Sequence, residues 1–125
     1  MKKIILPLMA IVMLASCGGG ETTGAKTTEP VAEKPKDPAY DAGLALVAKN
    51  DCLTCHKINE AFTGPSYALV AEKYAGADAA KIKEVAEKII KGGTGVWGSA
   101  MMTPHPSLSQ EDAEAMVKYI LLLKK

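Results

Sequence analysis

The chain has 125 residues, with 15 basic and 14 acidic side chains and a formal net charge of +1. This length allows one small domain, and the balanced charge lacks the clustered basic face of a nucleic-acid-binding protein. With one Trp, one Phe and four Tyr, aromatic side chains can fill little of a core. Domains of this size usually need a disulfide, a metal or a cofactor to be stable.

Residues 1–16 have the pattern of an export signal. Lys2 and Lys3 are followed by an apolar run that extends to Ser16. As a helix this run would be about 20 Å long, shorter than the roughly 30 Å hydrocarbon core of a bilayer. A cleaved signal is therefore favoured over a permanent transmembrane helix.

The apolar run ends in Leu14-Ala15-Ser16-Cys17, which resembles the lipobox of bacterial lipoproteins. The resemblance implies a diacylated Cys17 at the start of an exported protein that is anchored to a membrane and faces the periplasm. The following residues, through 36, are mainly Gly, Thr, Pro, Glu and Lys and bury too little surface to fold. Residues 17–36 are thus predicted to be the lipidated cysteine and a flexible linker.

Residues 37–125 are predicted to form an all-α domain of about four short helices. Pro38 suits a first helical position, Gly92-Gly93 a helix end, and Ser109 with Asp112 a capping box. No alternating run of β-branched residues predicts a strand. The predicted helices are 37–50, 66–74, 79–91 and 109–124. Their expected apolar faces comprise Leu44, Val47, Ala48, Ile82, Val85, Ala86, Ile89, Ile90, Ala113, Met116, Val117, Ile120 and Leu121.

Cys52-Leu53-Thr54-Cys55-His56 is the pattern by which c-type haem is attached. Two thiols three residues apart can add to the vinyl groups on one edge of the porphyrin, and the histidine that follows can ligate the iron. The sequence therefore predicts one covalently bound haem c.

Two other interpretations of these residues are weaker. A redox-active dithiol would be expected in a βαβ context, which the chain lacks. A structural zinc site would need Cys52, Cys55, His56 and a remote ligand such as His105, although adjacent residues point in different directions on a helix. His105 stands between two prolines in a loop that we expect to be exposed.

Met101 and Met102 lie in a turn-rich stretch, residues 92–106, and either could provide a second axial ligand. A thioether ligand would saturate the iron, favour its reduced form and leave electron transfer as the accessible chemistry. The alternative role for a methionine in such a loop is to fill a gap in the packing.

From residue 37 to its end the chain resembles the short monohaem class I cytochromes c of bacteria. The resemblance rests on the attachment pattern, on Gly64-Pro65, on Gly95-Val96-Trp97-Gly98, on a methionine five residues after the Trp, and on a last helix with Tyr119. It implies a class I fold around one haem, His/Met ligation, and a carrier of single electrons between redox proteins. Such a protein is not an enzyme and has no small-molecule substrate.

Carried over to this chain, the resemblance makes Cys52 and Cys55 the thioether links and His56 the proximal ligand. The carbonyl of Pro65 would accept the other ring N–H of His56. Gly43 would be the small residue where the first and last helices cross.

The same resemblance makes Met102 the sixth ligand, with Met101 as its competitor. Trp97 would lie beside the haem with its indole N–H near a propionate, and Lys88 would stand where relatives often pair an Arg with a propionate. Thr103 departs from the family pattern, which often has Pro after the ligand. Two rival functions remain: a subunit of a larger oxidase or reductase, and a haem sensor or weak peroxidase that has lost its Met bond.

Overall fold

The computed structural model describes residues 37–125, so the predicted signal, Cys17 and the predicted linker lie outside the described residues. The elements in chain order are helix α1, a 3-10 turn at Cys52–Thr54, helices α2 and α3, strands β1 and β2, and helix α4. Their bounds are Pro38–Lys49, Tyr67–Lys73, Ala79–Lys91, Gly93–Gly95, Gly98–Met102 and Gln110–Leu121.

Each of the four helices begins at a residue whose side chain caps it. Asp37 accepts a hydrogen bond from the backbone N–H of Ala39 at 2.8 Å, and Asp78, Ser66 and Ser109 cap their helices in the same way. Such caps satisfy backbone donors that have no partner inside the helix. The starts of the helices could be predicted because Asp or Ser stands directly before each segment with apolar residues at helical spacing.

The core lies where α4 packs against the other helices. Gly43 of α1 contacts the backbone of α4 so closely that a Cβ at this position would overlap the Cβ of Tyr119 and lie 2.6 Å from the carbonyl oxygen of Ala115. The predicted apolar faces of α3 and α4 are confirmed, but Ala48 is exposed, and Gly43 and Val47 are the buried residues of α1. The buried cluster comprises Val47, Tyr67, Val85, Ala86, Ile89, Leu108, Ala113, Met116, Val117, Tyr119 and Ile120.

The expectation that the domain has no strand is wrong. β1 and β2 form an antiparallel hairpin in which Gly93 pairs with Met102 and Gly95 pairs with Gly98, with an irregularity between the two pairs. Four of the glycines in and before this hairpin have positive φ angles, Gly92 at 68°, Gly93 at 129°, Gly95 at 99° and Gly98 at 99°. The hairpin is thus set by glycine turns, and β-branched side chains contribute little to it.

Within residues 37–125 no helix combines the length and the apolar character that crossing a membrane requires.

Candidate functional site

The attachment pattern forms a tight turn after α1. Asp51 takes a left-handed conformation with φ of 55°, which an aspartate tolerates better than most residues, and it redirects the chain. The N–H of His56 then donates to the carbonyl of Cys52 at 3.0 Å, and the Thr54 hydroxyl donates to the carbonyl of Asp51 at 2.7 Å. This turn brings both thiols and the His56 ring to the wall of a single cavity.

The His56 ring is held from two sides. Its Nδ1 lies 2.8 Å from the carbonyl oxygen of Pro65. Because a carbonyl can only accept, Nδ1 must carry the proton, which leaves the lone pair of Nε2 available to a metal. On its other side the ring stacks on Tyr67, with centroids 5.4 Å apart and planes inclined by 19°.

Burial acts on the ionisable groups around this ring. It raises the pKa of the Cys52 thiol, which is half-buried, so the free thiol stays protonated over a wider range. The pKa of Tyr67 is also strongly raised, chiefly by burial and secondly by the neighbouring Cys52. The environment beside His56 is therefore apolar and disfavours charge.

The cavity has a volume of about 530 Å³ and lies between the attachment turn, α3, the hairpin and α4. Its walls include the apolar side chains of Val85, Ile89, Met116 and Ile120, all from the helical core. A cavity of this size with a few polar groups at its edge is typical of a site for a cofactor.

Met102 and Met101 both line this cavity but differ in burial. Met102 is half-buried and packs against the hydrophobic core, whereas Met101 is 74% exposed. Consecutive residues of a strand point to opposite faces, which accounts for the difference. The backbone after Met102 is closely apposed to the end of α3, since a Cβ on Gly92 would lie 2.8 Å from the nitrogen of Pro104.

Trp97 and Lys88 lie at the edge of the cavity. Trp97 is 40% exposed, and the Nζ atom of Lys73 lies 5.2 Å from the centroid of its indole ring. Lys88 lines the cavity from α3 and is exposed. Both residues are therefore near enough to the cavity mouth for the roles that the family resemblance implies, and those roles stay predictions.

Sequence reasoning missed one residue of this site and misjudged the burial of another. Tyr67 stacks on His56, although nothing in its sequence context marks it as a site residue. His105, expected in an exposed loop, is half-buried, lines the cavity and has an Nδ1 atom shielded from solvent. A histidine three residues after a candidate ligand was a signal that could have drawn attention to it.

These residues fit a haem. Two thiols lie at one edge of an apolar cavity, an imidazole nitrogen with a free lone pair stands beside them, and a thioether lines another wall. Among residues 37–125 no group of three or more His, Cys, Asp or Glu side chains could hold a metal ion, which counts against the zinc interpretation. The fold and the site together define a c-type haem protein.

Comparison with known proteins gives the family. The model described as cytochrome c matches residues 40–124. A cytochrome c-551 of Allochromatium vinosum is 40% identical over 84 residues, which are 67% of this chain and 88% of that protein. A cytochrome c-552 of Nitrosomonas europaea is 42% identical over 83 residues, which are 66% of this chain and 80% of that protein.

Solved structures agree with this result. The crystal structure of wild-type Nitrosomonas europaea cytochrome c552 matches with a TM-score of 0.59 at 40% identity, covering 65% of this chain and 99% of that chain. The class 1 cytochrome MtoD from Sideroxydans lithotrophicus matches with a TM-score of 0.57 at 29% identity, covering 68% and 96%. The chain belongs to the cytochrome c family.

It is an electron-transfer protein with the class I cytochrome c fold, and it holds one covalently attached haem c. Its relatives bear the names of cytochromes c, and membership in this family supports export of the chain.

Proposed function

We propose that His56 and Met102 are the axial ligands of the haem iron, that Cys52 and Cys55 form the thioether links, and that the protein carries one electron at a time between redox proteins near a membrane. The hydrogen bond between Nδ1 of His56 and Pro65, at 2.8 Å, is the observation that carries this proposal. It fixes the tautomer of the ring and directs Nε2 to the iron.

The bound haem supplies the one-electron iron couple. The residues around it provide a defined environment: His56 is oriented by Pro65, and apolar side chains line much of the cavity wall. The thioether of Met102 is a soft ligand that favours the reduced iron and raises the reduction potential. With both axial positions occupied by protein, the site exchanges electrons and does not bind a substrate, so we infer that the protein is not itself an enzyme.

Paired methionine variants test the ligand assignment. Met102→Ala should abolish the weak near-infrared sulfur-to-iron band of the oxidised protein and lower its reduction potential, because the soft ligand is lost. Met101→Ala changes the neighbouring, more exposed side chain and should leave both unchanged. The opposite pattern would reverse the assignment, and no effect of either variant would mean that the iron has another ligand.

Covalent attachment through Cys52 and Cys55 has a direct chemical test. The protein extracted with acidified acetone should retain its haem and give a c-type pyridine haemochrome spectrum. Cys52→Ala or Cys55→Ala should leave a single thioether and shift this spectrum, whereas Thr54→Ala, between the two cysteines, should not. Release of the haem from the unmodified protein into the organic layer would refute the attachment.

The lipid anchor is a separate part of the proposal, supported by the sequence Leu14-Ala15-Ser16-Cys17. Cys17→Ser should release the domain from membranes or block its processing, because two or more acyl chains are needed for firm anchoring. The matched control is Ser16→Ala, which keeps the cysteine. A Cys17→Ser protein that is cleaved at the same bond and stays membrane-bound would show that Cys17 is not the anchor.

Lys88 and Trp97, at the edge of the cavity, are placed to orient a haem. Lys88 can pair with a haem propionate as a point charge, and Trp97 can direct its indole N–H to the same region. Lys88→Gln should lower the reduction potential slightly if the propionate loses its positive neighbour, and Lys83→Gln, an exposed lysine of the same helix, is the control.

A further inference from the structure

The imidazole of His105 is a cavity-lining group that the proposed function does not use. His105 lines the same cavity as Met102 and follows it by three residues in the same segment. Its Nδ1 atom is shielded from solvent and has no hydrogen-bond partner among the residues that the structure describes. Buried polar atoms without a partner are rare in folded proteins, so each one calls for an explanation.

The backbone of His105 is held by hydrogen bonds of both its N–H and its carbonyl. Its N–H donates to the carbonyl of Ile90 at 3.0 Å, and its carbonyl accepts from the N–H of Leu108 at 3.1 Å. Pro104 and Pro106 restrict the chain on either side. The segment therefore keeps the imidazole at the cavity wall.

The position of the proton on the His105 ring is not fixed by a hydrogen bond at Nδ1. His56 has its Nδ1 proton fixed by a carbonyl, whereas Nδ1 of His105 has no hydrogen-bond partner within residues 37–125 that would fix its protonation. Either nitrogen can thus present a lone pair to a metal. His56 and His105 are the two histidines of the whole chain, so the cavity has both of them in its wall.

We propose that His105 is a reserve axial ligand: when the bond between Met102 and the iron is lost, the imidazole of His105 takes the same position. This inference rests on the proposed function, in which Met102 is the sixth ligand. In the exchange the iron–sulfur bond breaks and an iron–nitrogen bond forms from the lone pair of a neutral imidazole. No electron or proton is gained or lost in this exchange.

The exchange has a chemical consequence for the protein. Imidazole is a good ligand for iron, and it lacks the thioether's preference for the reduced state. The protein with two histidine ligands therefore has a lower reduction potential and keeps the iron closed to external ligands. Loss of the Met102 ligand would then shift electron exchange to a lower potential without opening a site for peroxide chemistry.

Two haem-loaded variants test the proposal, Met102→Ala and the double variant Met102→Ala with His105→Phe. Both are measured in mildly alkaline buffer, where free imidazole is neutral. We expect Met102→Ala to give a low-spin ferric spectrum without the sulfur-to-iron band, and the double variant to give a high-spin spectrum. If His105 occupies the iron in about nine molecules of ten, added imidazole should bind Met102→Ala about tenfold more weakly than it binds the double variant.

The possible results separate this inference from the proposed ligation. A high-spin Met102→Ala protein that binds imidazole as tightly as the double variant overturns the reserve-ligand role and leaves Met102 as the ligand. A double variant that stays low-spin shows that another group, such as a lysine, takes the position, and also overturns it. Retention of the sulfur-to-iron band in Met102→Ala overturns the Met102 assignment and this inference with it. His105→Phe alone should leave the band in place, which shows that the phenylalanine is tolerated.

Discussion

The backbone at Gly64 lies against the ring of His56, where a Cβ atom would come within 2.5 Å of Cε1 and 2.8 Å of Nδ1. No side chain other than hydrogen fits at position 64 while His56 keeps its hydrogen bond to Pro65. Glycine is therefore required at position 64 because the backbone lies so close to the His56 ring. A positive φ angle is not the reason, since the φ angle of Gly64 is not in the left-handed region.

We predict that Gly64→Ala displaces the His56 ring. The loss in unfolding free energy should be about 1–3 kcal/mol, the usual range for overpacking, and the reduction potential should change because the ligand loses its oriented hydrogen bond. Denaturant unfolding and voltammetry of the haem-loaded protein measure these effects. Thr63→Ala, at a neighbouring exposed position, is the control, and equal effects of the two variants would contradict the steric argument.

The attachment turn and the helix starts could be predicted because each depends on a few adjacent residues. Cys52, Cys55 and His56 specify their chemistry by type and spacing, and the capping residues satisfy backbone donors in their own helix. The stacking of Tyr67 on His56 could not be found in this way, because the two rings lie 11 residues apart and meet only in the fold.

The hairpin could not be predicted from the sequence, for a different reason. Its strands are rich in Gly, Ser and Met, so neither alternation nor β-propensity marks them. Glycines with positive φ angles and close contact with the end of α3 determine its path. His105 was expected to be exposed because prolines flank it, yet the hydrogen bond from its N–H to Ile90 turns the segment against the cavity.

Folding of this domain should depend on the haem. A chain without haem would leave the apolar wall of this cavity, about 530 Å³ in volume, in contact with water. Each Å² of apolar surface left in water forgoes roughly 25 cal/mol of stabilisation, and the whole stability of a small domain is only roughly 5–15 kcal/mol. The haem therefore supplies buried apolar contact that the chain alone cannot replace.

We therefore expect the variant Cys52→Ala with Cys55→Ala, produced without haem, to be largely unfolded. Circular dichroism should show a loss of most helix content relative to the haem-loaded protein. Thr54→Ala, between the two cysteines, keeps both attachment sites and is the control. A haem-free chain with native helix content and a cooperative thermal transition would refute this dependence.

Tyr67 should make the protein sensitive to alkali. Burial holds the pKa of Tyr67 above its usual value near 10 in the folded state. In the unfolded chain the same phenol ionises near pH 10. The stabilisation is thus complete below about pH 10 and is lost as the pH rises above it, by up to about 1.4 kcal/mol per pH unit for one group.

The variant Tyr67→Phe tests this linkage. It has no phenol to ionise, so its unfolding free energy should fall less steeply above about pH 10 than that of the unmodified protein. Burial also raises the pKa of Tyr119, and Tyr119→Phe should reduce the slope in the same direction. Denaturant unfolding at several pH values above about 9 gives the slope of the unfolding free energy against pH for each protein. Tyrosinate absorbance recorded in parallel follows the ionisation of the phenols. Identical slopes in all three proteins would exclude a role for these phenols.

The crossing of α1 and α4 at Gly43 gives a prediction in which two effects have opposite signs. At an open position inside a helix, Gly→Ala gains roughly 0.8–1.0 kcal/mol from helix propensity. At Gly43 the added Cβ would overlap Tyr119 and lie 2.6 Å from the carbonyl oxygen of Ala115, which is backbone and cannot rotate away. The two helices would have to separate, which disturbs the packing of the buried Tyr119 and Val47.

We expect the steric cost to exceed the propensity gain, so that Gly43→Ala lowers the unfolding free energy of the haem-loaded protein by about 1–3 kcal/mol. Ala45→Gly, at an exposed position of the same helix, measures the propensity effect alone and should cost about 1 kcal/mol. Denaturant unfolding of both variants gives the two changes in unfolding free energy. The midpoints should shift, while the dependence of the unfolding free energy on denaturant concentration stays unchanged. If Gly43→Ala instead stabilises the protein by about as much as Ala45→Gly destabilises it, the helices do not pack closely at this point, and Gly43 has no structural role in the crossing.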